Sequence, residues 1–241
     1  MNRQTLSIAA TVLACIALSL AAPQTAHAGD LQLEGDISTE YPTDPSWDAL
    51  NDNNINTSAN LGVAYGLDDF VPLSGLRAVV QFSGTGMESH RFDGDYKFGW
   101  SRNLYLVGAD WGPEIAGFMR PFARVSAGVA RQHLEVTPNG SVQFQDSEVD
   151  FATKNSVGLE LYIPFEKKGD SSSFGLSDMF TFGLSGQFGY LWQAPANFDG
   201  MRAPDGTHGK DDPWSRTSVN LGELNTNSTF WDVGLFFRLR L

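Results

Sequence analysis

The sequence after residue 30 is dominated by an alternation of apolar and polar side chains with a period of two. The last segment shows it most clearly, because six alternate positions from Trp231 to Leu241 all carry large apolar side chains. The positions between them include Asp232, Gly234 and Arg238. This alternation is typical of a β-strand with its two faces in different environments. Six apolar positions in succession exceed what a soluble edge strand usually shows, so this face is predicted to meet lipid.

The same pattern recurs seven times upstream, which predicts eight strands. In chain order, the apolar faces are assigned to Leu31, Leu33 and Ile37; to Leu61, Val63, Tyr65 and Leu67; to Leu76, Ala78, Val80 and Phe82; to Tyr96, Phe98, Trp100, Leu104 and Leu106; to Ala123, Val125, Ala127 and Val129; to Phe151, Val157, Leu159, Leu161 and Ile163; to Phe180, Phe182, Leu184, Phe188 and Tyr190; and to the last segment. Arg102 interrupts the fourth face, which predicts a bulge or a change of register there.

The predicted connections alternate in length. Longer polar linkers are assigned to 39–57, 136–149 and 193–228, with a short outer loop near Ser89 to Asp95; shorter turns are assigned to 69–75, 109–117 and 166–176. No helix-period segment of useful length follows residue 30, although Asp48 to Ile55 could form one short helical turn. Long loops on one side and short turns on the other are typical of an up-and-down membrane barrel, whose strands cross in ~9–11 residues. The sequence therefore predicts an all-β, eight-stranded antiparallel up-and-down transmembrane β-barrel over residues 29–241.

In this barrel the polar faces line the lumen, and their charges can be assigned. The predicted inward cations are Arg77, Lys97, Arg120, Arg124, Lys154, Arg238 and Arg240, and the predicted inward anions are Glu34, Asp36, Glu160 and Asp232. An eight-stranded interior is just wide enough for side chains, so we expect cross-lumen ion pairs and a plugged lumen. The alternative is a soluble periplasmic β-sandwich or lipocalin-like protein with the apolar faces inside. Small residues on the polar faces and aromatics near strand ends (Trp111, Phe118, Phe165, Trp192 and Trp231) favour the membrane barrel.

The first 28 residues have the pattern of a signal peptide. A short basic start with Arg3 precedes an apolar run from Leu6 to Ala22, and Ala26-His27-Ala28 places small residues at a cleavage site after Ala28. A retained membrane anchor and acylation at Cys15 are the alternatives. Cys15 is the single cysteine, so a mature chain from residue 29 would have no disulfide and no cysteine-based zinc site.

The acidic composition and the histidines limit the possible activities. A net charge of -12 argues against nucleic acid as a partner, because binding phosphates requires a basic surface. Glu88, Ser89 and His90 are adjacent and could suggest an acid, a nucleophile and a base, but adjacency does not establish hydrogen-bond geometry, and a solvated loop is the simpler interpretation. His133 is interpreted as a polar tip at the end of the fifth strand. The sequence identifies no catalytic, cofactor-binding or metal-binding residue.

Acidic residues are concentrated in two of the predicted outer loops. They comprise Asp44, Asp48 and Asp52 in the first, and Asp199, Asp205, Asp211 and Asp212 in the last. Oxygen ligands at this density could bind calcium, but the spacing is not that of an EF-hand. A solvated acidic loop is the simpler interpretation, and bridging of these loops to lipopolysaccharide by divalent cations remains open.

Two segments resemble those of small bacterial outer-membrane barrels. Residues 230–241, FWDVGLFFRLRL, resemble the C-terminal signal that the barrel-assembly machinery reads, with Leu241 in place of the usual terminal Phe or Trp. Residues 120–129, RPFARVSAGV, resemble a strand common in this class, which includes the OmpA membrane domain, OmpX and OmpW. The resemblance implies the outer membrane of a Gram-negative bacterium, with membrane lipid, lipopolysaccharide and the assembly machinery as partners.

The expected function is a structural or interaction barrel that is not an enzyme. The alternatives are a narrow channel for small or hydrophobic solutes and a lipid-modifying barrel enzyme, besides the soluble protein considered above. The sequence does not identify the oligomeric state or a ligand.

Overall fold

The computed structural model describes residues 29–51, 55–67, 70–71, 74–91, 96–138, 143–163, 180–203 and 218–240. The predicted signal peptide lies outside these residues. Ten strands and one short 3-10 helix, Pro45–Ala49, are present in the described part of the chain. The strands are β1 (Asp30–Pro42), β2 (Asn56–Gly66), β3 (Leu76–Arg91), β4 (Tyr96–Trp111), β5 (Met119–Pro138), β6 (Phe144–Ile163), β7 (Phe180–Gln193), β8 (Ala196–Arg202), β9 (Ser218–Leu224) and β10 (Ser228–Arg240).

Eight of these strands form a closed antiparallel barrel. Consecutive strands from β1 to β7 pair with their neighbours, β7 pairs with β10, and β10 pairs with β1. The closing pair is continuous, from Asp30 opposite Arg240 to Pro42 opposite Ser228. The predicted eight-stranded up-and-down barrel is therefore confirmed. We call the end that contains Asp30 and Arg240 the proximal end and the opposite end the distal end.

The predicted linkers at the distal end are partly wrong. Strands β5 and β6 continue to Pro138 and from Phe144, so most of the predicted linker 136–149 is strand. The predicted linker 193–228 contains the β8–β9 hairpin, which contacts β6 where Gln145 lies opposite Arg202. The 3-10 helix begins before the predicted helical turn. Apolar side chains face inward at these distal ends, for example Phe144 and Phe198, so the polarity of the alternation is reversed there.

The outer face of the barrel is apolar, as predicted for seven of the eight strands. Val63, Val125, Val157 and Leu235 lie on this surface. They alternate along their strands with polar side chains that face inward. A closed barrel pairs backbone groups between strands, so alternate apolar side chains suffice to meet lipid. Among the described residues, no helix combines the length and apolar character needed to cross a bilayer.

The predicted faces of β4 are wrong. Trp100 and Leu104 are buried inside, whereas Val107 is 62% exposed on the outside. Arg102 also points inward, and the pairing of β4 with β3 and β5 shows neither a bulge nor a change of register. Both faces of β4 carry large apolar side chains, so alternation alone could not distinguish the inside from the outside. Lys97, predicted to face the lumen, is 46% exposed on the outer face.

Exposed aromatic side chains lie near both ends of the apolar surface. Trp111 and Phe118 are exposed at the proximal end, and Trp192 and Trp231 at the distal end. These positions fit the predicted interfacial girdles; Phe165 lies outside the described residues. The Trp231 ring lies 5.1 Å from that of Phe188 on the neighbouring strand, measured between centroids.

Barrel closure predicts heat-modifiable migration in a denaturing gel. Because the closed sheet has no free edge from which to unravel, an unboiled sample in detergent is expected to keep its strands paired and to migrate differently from a boiled one. The measurement is a comparison of the two samples on one gel, with the boiled sample defining the unfolded position. Identical migration, together with recovery in the soluble periplasmic fraction, would contradict a membrane barrel.

Candidate functional site

The lumen carries equal numbers of buried cations and anions in the described part of the chain. The six cations are Arg77, Arg102, Arg120, Arg124, Lys154 and Arg238, and the six anions are Glu34, Asp36, Glu40, Asp110, Glu160 and Asp232. The predicted excess of cations is therefore wrong. Sequence reasoning missed three of these charges, because Glu40 and Asp110 were placed in connections and Arg102 on an outer face. The side chain of Arg240 lies outside the described set.

Asp110 on β4 organises the proximal half of the lumen. Its Oδ1 accepts a hydrogen bond from Arg77 Nε at 2.9 Å, and its Oδ2 accepts one from Arg124 Nη2 at 2.9 Å. Arg120 Nη2 also donates to Oδ1. Three guanidinium groups from β3 and β5 therefore converge on one carboxylate, which is fully buried.

Glu34 and Glu160 extend this network across the barrel. Arg124 donates to both carboxylate oxygens of Glu34, each at 2.8 Å, and so links β5 to β1 on the opposite wall. Glu160 on β6 accepts hydrogen bonds from Arg77 and from Gln32, the latter at 2.9 Å. Planar two-point contacts between arginine and carboxylate are among the stronger ionic hydrogen bonds in proteins.

The proximal rim supplies further carboxylates to this network. Arg238 Nη1 lies 3.6 Å from Glu114 Oε2 and 3.8 Å from Asp30 Oδ2, and Arg238 Nη2 lies 3.4 Å from Glu160 Oε2. The Tyr162 hydroxyl is also hydrogen-bonded to Arg238. The four arginines of the proximal half are thus surrounded by buried and rim carboxylates.

Two separate ion pairs lie farther along the lumen. Arg102 on β4 contacts Glu40 on β1, and its Nη1 donates to Gln193 Oε1 at 3.1 Å. Lys154 Nζ donates to Asp232 Oδ2 at 2.8 Å. The first pair joins β4 to β1, and the second joins β6 to β10, the two strands on either side of β7.

An apolar cluster occupies the distal end of the barrel interior. It combines inward side chains of β4, β5 and β6 with the 3-10 helix and the β8–β9 hairpin, and its buried members are Trp47, Leu50, Phe98, Trp100, Leu134, Val136, Phe144, Ala196, Phe198, Met201 and Leu224. The Trp47 and Trp100 rings meet edge to face, with centroids 4.8 Å apart. The hairpin and the helix therefore contribute buried side chains to the distal interior.

The structure separates Ser89 from its sequence neighbours Glu88 and His90, which lie on the same face of β3. The Ser89 hydroxyl donates to the backbone carbonyl of Leu50, whereas Glu88 and His90 extend from the other face of β3. Glu88 instead pairs with Lys97 at 2.9 Å, and this hydrogen bond holds the pKa of the Glu88 carboxyl below its usual value. His133 contacts Ser147 and Glu135 within β5 and β6, not at a strand end. The geometry therefore gives no contact between Ser89 and His90.

The acidic distal segments are only partly described. Asp44 accepts a hydrogen bond from the Asn225 side chain at 2.9 Å, whereas Asp52, Asp205, Asp211 and Asp212 lie outside the described residues. Asp199 lies on β8. Within the described ranges, no group of three or more His, Cys, Asp or Glu side chains could hold a metal ion.

Comparison with known proteins shows similarity in fold alone. No protein-family model matches the sequence, and no curated protein is similar to it. Among solved structures, Neisserial surface protein A is 9% identical, with a TM-score of 0.43, covering 88% of this chain and 97% of its own. Ail, the attachment invasion locus protein of Yersinia pestis, is 9% identical, with a TM-score of 0.42, covering 89% of this chain and 100% of its own. The N-terminal β-barrel domain of Pseudomonas aeruginosa OprF is 11% identical, with a TM-score of 0.34, covering 86% and 97%. These structures are small outer-membrane barrels, and the strand pairing given above is what establishes the barrel of this chain.

Proposed function

We propose that this chain is a structural or interaction barrel of a bacterial outer membrane, without enzymatic activity. Its lumen is blocked by its own side chains, and its distal end contacts the exterior. The observation that supports this proposal is the presence of an arginine–carboxylate network and a distal apolar cluster at two levels of the barrel interior.

The placement in a membrane rests on the distribution of polarity. Val125, Val157 and Val233 are each more than half exposed on the outside, whereas charged side chains are buried inside. A soluble lipocalin-like barrel needs the opposite arrangement, because water would then meet the outer face. A lipid environment around the barrel explains both the apolar outer face and the burial of charged side chains inside.

The blocked lumen rests on contacts between opposite walls. The Arg124–Glu34 pair crosses from β5 to β1, and Arg77 of β3 reaches Glu160 of β6. Long side chains that meet across a narrow barrel leave no continuous water column. The distal cluster adds a water-excluding layer that contains two tryptophans.

The distal end supplies the surface for interaction. The outer positions of β3 to β6 become polar toward this end, where Glu88, Lys97 and Glu135 are exposed or half-buried. Lipopolysaccharide is the expected contact of such a surface in an outer membrane. The barrel-assembly machinery is the expected partner during insertion, through the strand that ends the chain.

A narrow channel is the second candidate function. The observation that favours it is a set of buried side-chain atoms in the middle of the lumen, including those of Ser38 and Asn60, that have no partner among the described residues. Polar groups of this kind can line a path for water or small solutes. The separation of Ser89 from His90, by contrast, gives no support to a lipid-modifying enzyme.

Single-channel recording distinguishes a blocked lumen from a channel. We expect the purified barrel to show no steady conductance in planar bilayers, because the guanidinium and tryptophan side chains occupy the path. A trimeric porin inserted into the same bilayers provides the positive control. Reproducible, ion-selective channels from the pure protein would contradict the proposal and favour the channel.

A further inference from the structure

One wall of the middle lumen consists of neighbouring oxygen-bearing side chains. In the strand register, Asp36 of β1 lies opposite Asn60 of β2, and Ser38 of β1 lies opposite both Ser58 of β2 and Asp232 of β10. Directly opposed side chains on one face of a sheet have Cβ atoms about 4.5–5.5 Å apart. All five side chains are buried, at 8% exposure or less. We call this group the mid-lumen oxygen cluster.

Most members of the cluster have unsatisfied polar atoms. Ser38 Oγ, both amide atoms of Asn60 and Asp232 Oδ1 have no hydrogen-bond partner within the described part of the chain. The Ser58 hydroxyl interacts with the Glu40 carboxylate. Burying such atoms without partners is costly, so native proteins satisfy nearly all of them with protein, water or an ion. Four unsatisfied atoms on one patch of wall therefore indicate a bound group.

The cluster also has an excess of negative charge. Asp232 pairs with Lys154, whereas Asp36 accepts a hydrogen bond from the Ser185 hydroxyl at 3.1 Å and forms no ion pair with any described cation. The Asp36 carboxylate lies against the backbone of Gly234, in space that a side chain there would occupy. The remaining buried carboxylates, Glu34, Glu40, Asp110 and Glu160, each contact an arginine. Two carboxylates and one ammonium group leave one negative charge at the cluster.

We propose that the mid-lumen oxygen cluster binds a small monovalent cation of the sodium type. Carboxylate, amide and hydroxyl oxygens are the ligands that hard cations prefer. The unsatisfied oxygens of Asp232, Asn60 and Ser38, with the Asp36 carboxylate, supply them in one place. A monovalent ion neutralises the excess charge, whereas a divalent ion would leave an uncompensated positive charge in a buried site.

A comparison of salts tests whether the site binds a cation or water alone. The refolded full chain in detergent is heated in sodium chloride or in choline chloride at equal ionic strength, and unfolding is followed by gel migration. Choline is too large for a site of this kind, so the wild-type midpoint is expected to be several degrees higher in sodium. The difference is expected to disappear in Asp36→Asn and in Asn60→Ala. Glu88→Gln, at an exposed residue, is the matched control and should keep the difference in midpoint between the two salts.

A direct measurement does not depend on the folding of any variant. Crystals of the wild-type protein grown in sodium chloride are expected to show a density peak between Asp36 and Asp232 whose contacts to oxygen atoms are all shorter than those of a water molecule. Equal midpoints in the two salts and no peak would mean that water alone satisfies the cluster, and would overturn the inference. The proposed function is tested by conductance, whereas the cation site is tested by thermal midpoints and crystallography. Failure of one proposal can therefore be told apart from failure of the other.

Discussion

Asp110→Asn is expected to lower the free energy of unfolding by about 3–5 kcal/mol, the cost of breaking a buried ion pair. The carboxylate at this position accepts hydrogen bonds from Arg77, Arg120 and Arg124 and is fully buried. Asparagine keeps the shape but removes the charge and turns one acceptor into a donor. Three guanidinium groups would then face each other with Glu34 and Glu160 as their remaining carboxylates, so the loss arises from unpaired positive charge.

Urea unfolding of the refolded barrel, followed by tryptophan fluorescence, measures the effect. Glu160→Ala should also destabilise the protein, because Glu160 contacts Arg77, Arg120 and Arg238. Glu88→Gln serves as the control, since its pair with Lys97 is exposed to water and should contribute little. If Asp110→Asn unfolds at the same urea concentration as the wild type, the network does not stabilise the barrel.

Leu235→Arg is the second change with a large expected effect. Leu235 is 49% exposed near the middle of β10, opposite Gly35 on β1 and Leu184 on β7. An arginine facing lipid near the bilayer midplane costs ~2–4 kcal/mol, and the cost falls toward the interfaces. Folding yield into lipid vesicles, together with urea unfolding, measures this cost.

The same substitution at a different place provides the control. Leu221 has a similar exposure but lies on β9 of the distal hairpin, away from the barrel wall, so Leu221→Arg should be tolerated. Gly234→Arg should prevent folding for another reason, because its side chain would collide with Asp36 and the backbone of Gly35. A tolerated Leu235→Arg would reverse the assignment of lipid-facing and lumen-facing sides.

The sequence was sufficient to predict the number of strands and the orientation of most of them. On β10 every outward position from Trp231 to Leu239 is apolar, and Asp232, Gly234 and Arg238 are among the inward positions, so the alternation has one interpretation. On β4, Leu104 and Leu106 face inward while Tyr105 and Val107 face outward. Because both faces are apolar, the alternation does not show which face points into the lumen. The orientation of β4 is decided by its neighbours, through pairings such as Asp110 with Arg77 and Arg124.

The candidate site was less predictable for two physical reasons. Arg124 and Glu34 lie on opposite walls, and the sequence does not encode which side chains meet across a lumen. The β8–β9 hairpin buries Phe198 and Met201. Few other residues of the hairpin are apolar, so the sequence of this segment resembles a polar loop. At the distal end the apolar side chains of the strands face inward. A method that finds strands by their outward apolar faces therefore places the distal ends of these strands too early.

The pairing of β1 with β10 has a consequence for how the chain reaches its native state. Gln32 and Arg238, which are hydrogen-bonded in the finished protein, are 206 residues apart in the chain. Contacts of such separation carry a large loop-closure entropy and slow the search for the native topology. Until β10 pairs with them, β1 and β7 both present unpaired edges, and such edges attract other chains. We therefore expect synthesis to yield an open intermediate, in which a chaperone would have to protect both edges until the barrel closes.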